Sequence, residues 1–177
     1  MTTDRRTIEL AIRRLAKDRA LLERFKADDA NRGFGLETNR LNQFVVDEDE
    51  GSWSDIFRLN LVTGRFALVT AARDGGPADE HSFIPSLSHT GRYVGFSSFA
   101  ADLVAGDAPG SDAFVHDMRT RTTYLASQGL EGPANGESGR SAVAISDDGR
   151  TLVFETYATN LVEGDNVDMP EVVAWRR

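Results

Sequence analysis

Two short loops of this chain carry the side chains best suited to chemistry. Asp107, Ser111 and Asp112 lie close together in one, and Asp165, Asn166 and Asp168 in the other. Hard oxygen donors at this density suit calcium, which accepts flexible sets of carboxylate, amide and backbone oxygens. The same residue types also cap tight loops by accepting from the loop's own backbone N–H groups. Neither loop alone supplies a full set of carboxylates. Asp107, Asp112, Asp165, Asn166 and Asp168 are therefore the candidate metal ligands, and calcium is the one cofactor they suggest.

For catalysis the residues are sparse. His81, His89 and His116 are scattered, and His116 stands next to Asp117 in an alternating run, which sends the two to opposite faces of a strand. No Gly-x-Ser-x-Gly elbow presents a serine, since Gly136-Glu137-Ser138-Gly139 has the wrong spacing. There is no phosphate loop or dinucleotide fingerprint. With no cysteine, thiol nucleophiles, zinc–thiolate sites and disulfides are excluded. These residues favour binding over catalysis, and a hydrolase acting at the loop carboxylates is the enzyme alternative. Trp53 sits in the polar run Gly51-Ser52-Trp53-Ser54, which reads as a loop, where an aromatic is suited to contacting a ligand or partner. The charge run of residues 47 to 52, Asp-Glu-Asp-Glu-Gly-Ser, fails the order of a calcium-binding loop, with Gly51 at position five and no Glu at position twelve, and reads as a solvated turn.

The elements that must position these residues are written out twice. Gly91-Arg92-Tyr93-Val94-Gly95-Phe96 and Ala101-Asp102-Leu103-Val104-Ala105-Gly106-Asp107 return as Gly149-Arg150-Thr151-Leu152-Val153-Phe154 and Thr159-Asn160-Leu161-Val162-Glu163-Gly164-Asp165. A fixed offset of this length marks a repeat architecture. Within a copy the apolar residues alternate, as they do in a half-buried strand. A Gly before each run supplies the positive φ of a tight hairpin. Adding Asp112–Asp117 and Thr122–Ala126 makes each copy a four-stranded antiparallel meander of roughly forty residues, the size of a propeller blade. A fainter upstream copy runs through Phe44 to Val46, Asp55 to Leu59 and Arg65 to Thr70. The last copy ends with Glu171 to Trp175 in its third-strand slot.

The pattern Ser-x-x-Gly-Arg-x-x-x-Phe, Asn/Asp-Leu-Val-x-Gly-Asp, Asp-x-Phe-Val-x-Asp resembles the TolB-like, WD-type bacterial β-propeller repeats. It is carried by Ser88, Gly91, Arg92, Phe96, Asp102, Leu103, Val104, Gly106, Asp107, Asp112, Phe114, Val115 and Asp117. The resemblance spans residues 40 to 177 and implies a mainly β protein of propeller-type blades. Three are expected, at 34–72, 82–127 and 140–177, the last incomplete. This is fewer than complete members of the family carry, and Pro170-Glu171 replace the Ser-Asp that opens the third strand. Tyr93, Phe96, Phe114, Tyr124, Phe154 and Trp175 are the expected core between blades.

Ahead of the repeats, residues 1–33 are expected to form an amphipathic helix, with Ile8, Ile12, Leu15, Leu22 and Phe25 on one stripe. The run from Leu22 to Asp28 with Phe34-Gly35-Leu36 also resembles the helical units of bacterial leader peptides and of LigA-like small subunits. That resemblance implies a precursor with a helical leader as a further alternative. Residues 1–33 hold nine Lys/Arg and six Asp/Glu, and the remainder eleven and twenty-two, so a body of net charge −11 follows a segment of +3. Phosphate binding runs on Lys and Arg, so nucleic acid is not an expected partner. No run approaches membrane-spanning length and no signal peptide is evident, so the expected location is the cytoplasm. The leading expectation is a non-catalytic protein-interaction module. Three blades leave two open faces, expected to carry Phe57, Phe114 and Val173, and a homodimer would cover them.

Overall fold

A computed structural model describes residues 37–38, 43–50, 53–60, 65–107, 109–164 and 169–177, with 37–38, 43–50, 59–60 and 65–66 described through their backbone. The expected N-terminal helix, Asp165, Asn166 and Asp168 lie outside the described residues. Every regular element described is a strand. The first sheet contains β1 (Glu37–Thr38), β2 (Gln43–Glu50), β3 (Trp53–Asn60) and β4 (Arg65–Leu68), paired in chain order. The second contains β5 (Ser82–Leu87), β6 (Tyr93–Ser98), β7 (Asp112–Asp117) and β8 (Thr122–Leu125), again in chain order. After a small hairpin of β9 (Gln128–Gly129) and β10 (Gly132–Pro133), the third sheet follows with β11 (Ser138–Ile145), β12 (Thr151–Thr156) and β13 (Glu171–Arg176). All pairings within the sheets are antiparallel. These are the meanders that the repeat predicted.

One reading shifts. Asp47 to Glu50 are not a turn but the end of β2, paired with Trp53 to Ile56. Their Asp and Glu content points to a loop, and cross-strand pairing overrides that local preference. Between the second and third sheets the β9–β10 hairpin is a further small element.

The core lies between the sheets. On one side of the middle sheet, Val94, Phe96 and Phe114 pack against Ile56 and Val69 of the first, all fully buried. The Phe96 and Phe114 rings stack at 5.5 Å. On the other side, Ala113, Val115 and Ala126 meet Val143, Leu152 and Phe154 of the third sheet. Strand β7 is consequently buried along its whole length.

The third sheet approaches the middle one closely where a side chain is missing. A Cβ on Gly95 would lie 2.3 Å from Leu152 Cδ1 and 3.4 Å from Ile145 and Val143. At the hairpin turn, Gly149 has φ +70°, and a Cβ there would overlap the Tyr93 ring. Gly95→Ala is expected to destabilise by about 1–3 kcal/mol through overpacking. Leu152→Ala should cost less in that background than in the parent, read as a non-additive double-mutant cycle in urea denaturation.

Candidate functional site

The polar groups of the repeat are joined in ties that recur from sheet to sheet. Where the third strand begins, Asp112 accepts from the Ser127 hydroxyl at 2.6 Å, while Ser127 Oγ accepts from the Ala113 N–H at 3.0 Å. In the first sheet Asp55 accepts from Thr70 at 2.7 Å and Thr70 Oγ1 accepts from the Ile56 N–H at 3.1 Å. Asp and hydroxyl stand fifteen residues apart in both copies, a spacing legible in the sequence that the motif reading passed over. A second tie clasps the loop after the second strand. The N–H of Asp79 donates to Asp102 and that of Ala101 to Asp79; in the next sheet Asn135 and Asn160, with the Thr159 N–H, repeat the pattern.

The candidate metal ligands are only partly assembled. Asp112 is buried, and that burial pushes its carboxyl above the usual range, opposed by its hydrogen bonds with Ser127 and Asp107. Asp107 and Asp112 are therefore brought together. Ser111 is turned away, its hydroxyl donating to the Ser138 carbonyl of the third sheet at 3.0 Å. Among the described residues no group of three or more His, Asp or Glu is arranged to hold a metal ion.

Trp53 is the first residue of β3 rather than part of a loop. It remains 41 % exposed, with its ring edge-on to His81 at 5.1 Å. His81 Nδ1 in turn accepts from the Ser54 N–H at 3.0 Å, joining the first two sheets at the rim. The other histidine of interest, His116, is buried and within 3.0 Å of Thr123 Oγ1 through Nδ1. Its neighbour Asp117 faces the opposite way, as the strand period requires, and receives two bonds from Arg92 at 3.0 and 2.6 Å. Arg177 adds a third contact to Asp117 at 3.6 Å and lies over the Tyr93 and Tyr124 rings. Arg92 holds the Asp117 carboxyl well below the usual carboxylate range. Burial pushes the His116 imidazole down to about 4, with Asp117 opposing the shift and Arg58 adding to it.

The outer face of the third sheet has a different character. Val172 is 73 % exposed and Val153 37 %, with Ala144 and Ala174 exposed beside them. Pairing places Val153 opposite Ala174 and Ala144. In the middle sheet the corresponding positions are Gly95, Ala113 and Val115, and all three are buried under the third sheet. The expectation for the open faces is corrected in its residues. Phe114 is fully buried, and Val173 packs inward on the middle sheet. Sheet pairing matches Val173, not Val172, to Phe114, because the loop before β13 is one residue longer than its counterpart.

No family model matches the chain, and no curated protein matches it. Solved structures do. A mutant puromycin hydrolase complexed with PGG superposes with a TM-score of 0.50 at 14 % identity, over 80 % of this chain and 18 % of that one. TolB from Acinetobacter baumannii gives 0.44 at 15 %, over 76 % and 29 %. The β-propeller domain of the Trilobed protease from Pyrococcus furiosus gives 0.40 at 15 %, over 79 % and 43 %. This chain spans less than half the length of each. The likeness is one of fold. The chain has a mainly β, β-propeller-type fold built of antiparallel sheets.

The buried His116 generates a pH dependence. Between about 6.5 and about 4 the unfolded chain takes up a proton that the folded chain refuses. Stability should therefore fall as pH drops through that window, by up to about 3 kcal/mol. His116→Gln should flatten this limb in urea titrations. The loss below pH 3.8, where the depressed Asp117 stops contributing, should remain in the variant.

Proposed function

We propose that this chain is a non-catalytic, propeller-type protein-interaction module whose partners include a second copy of itself. One observation carries the reading: the apolar outer face of the last blade, with Val172 73 % exposed. The same face of the middle blade is buried under its neighbour. An uncovered apolar sheet face of this kind is a docking surface. Side-chain use supports the same reading. His81, His116, Asp112 and Asp117 are each engaged in ties that hold strands or blades together. Trp53, exposed at the rim between the first two blades, provides a further partner contact. The alternative, a calcium-dependent binder or hydrolase at Asp107 and Asp112, draws on their contact with each other.

Light scattering at micromolar concentration should give about twice the chain mass of 19.4 kDa, and Val172→Asp should return it to one. A single-chain mass unchanged by dilution or by that variant would remove the dimer. Pull-downs with the Trp53→Ala variant should recover less partner than the parent. The calcium alternative is separated by its linkage: a bound ion must raise the melting temperature with concentration. On the interaction reading the response stays flat to millimolar calcium.

A further inference from the structure

Strand β13 ends its sheet among the described residues, and the other two sheets show what belongs at that edge. In each of them a fourth strand pairs with the third in the same register. Leu68 stands opposite Phe57 and Leu125 opposite Phe114, and two residues later come the hydroxyls of Thr70 and Ser127. Those hydroxyls bond the carboxylates of Asp55 and Asp112, two residues before the paired Phe. The residue between Leu and hydroxyl, Val69 or Ala126, turns toward the next blade and is buried there. Leu125 instead turns back toward the first blade. Two independent copies thus define one template, Leu, small apolar residue, Ser or Thr.

The third sheet repeats the receiving half of that template. Val173 pairs with Phe154 as Phe114 pairs with Phe96, and it packs on the same inner cluster as Trp175. Two residues before Val173 stands Glu171, a carboxylate in the place of Asp55 and Asp112. At the far end, Arg176 occupies the position of Asp117, which pairs with Thr122, the first residue of the fourth strand. Exposed Arg176 favours an acidic residue there.

We infer that the β13 edge is a peptide-binding site that takes a separate extended chain as an added antiparallel strand. Its ligand class is a six-residue segment of the form acidic, any, any, Leu, small apolar, Ser or Thr. The Leu sits opposite Val173, extending the inner cluster. The hydroxyl donates to Glu171 and accepts from the Val172 N–H. Main-chain hydrogen bonds along β13 supply affinity and these side-chain positions supply selectivity, as in other strand-addition sites. The inference rests on the interaction-module reading and names the chemistry of one of its partners.

The probe is the capped peptide Asp-Thr-Tyr-Leu-Ala-Ser, which follows the fourth strand of the middle blade with an acidic first residue. Hydrogen exchange on the 177-residue chain, with peptide to about 1 mM, a concentration that reads weak affinities, should show new protection confined to 171–176. Replacing the peptide Leu by Asp should abolish it. Replacing its Ser by Ala should weaken binding about tenfold, the scale of a hydrogen bond to a charged group. In Glu171→Ala, folded by circular dichroism, that Ser-to-Ala difference should vanish. No protection of 171–176, or protection indifferent to the Leu replacement, overturns the strand-addition site. A dimer by light scattering alongside that failure leaves the interaction module standing, so the two outcomes are separable.

Discussion

Strand β7 has no face left for water, and much of the described structure follows from that. A blade covers each of its sides: Phe114 points to the first sheet, and Ala113 and Val115 to the third. Each large side chain so buried contributes about 1.5–3 kcal/mol. The contribution depends on both neighbours being present, because a single antiparallel sheet has two faces and can fold only one of them onto itself. The middle blade satisfies that requirement through the approach of Leu152, Val143 and Ile145 to the side-chain-free surface at Gly95. The last blade repeats the outward positions with Val153, Val172 and Ala174 in the open. Burial in one copy and exposure in the next, at matched positions, is what gives the chain a binding face.

The polar ties do a different job. Alternating strands would tolerate a slip in pairing wherever their faces are weakly patterned, and a two-residue slip keeps every side chain on its face. The Asp–hydroxyl–N–H tie removes that freedom, since Asp112 and Ser127, or Asp55 and Thr70, meet only in one register of the third and fourth strands. The burial of Asp112 makes the tie demanding, because an unmatched carboxylate there would cost several kcal/mol. The loop clasp is looser in chemistry, being two aspartates in one blade and two asparagines in the next. With Asp79 and Asp102 that close, like charge adds to burial in raising the Asp102 carboxyl. With Asn135 and Asn160 no charge is involved. The backbone N–H groups are satisfied either way, which is what the loop requires.

Between the middle and last blades, Arg177 reaches back to Asp117, Tyr93 and Tyr124. Arg92 already holds Asp117 from within the blade. One buried carboxylate therefore joins the hairpin of its own blade to the final residue of the next. Such a pair gains from its bidentate geometry and from the planar stacking that arginine, unlike lysine, can provide.

Blade size, strand order and the alternation of inward and outward residues were legible in the sequence, because a repeated pattern of Gly turns and alternating apolar residues has one economical antiparallel solution. The core aromatics Phe96, Phe114 and Phe154 were legible for the same reason. The role of Asp112 was not, since an aspartate beside a Gly-Asp loop looks the same whether it waits for a cation or for Ser127. Trp53 and the acidic run before it read as loop, and pairing of β2 with β3 drew them into the sheet. An open face was anticipated, but Phe114 and Val173 were misplaced on it. An extra residue before β13 exchanges the two faces of the strand relative to a count along the chain, so Val172 rather than Val173 meets solvent. A period of two makes such a face assignment hostage to a single insertion, and only the register of the folded sheet decides it.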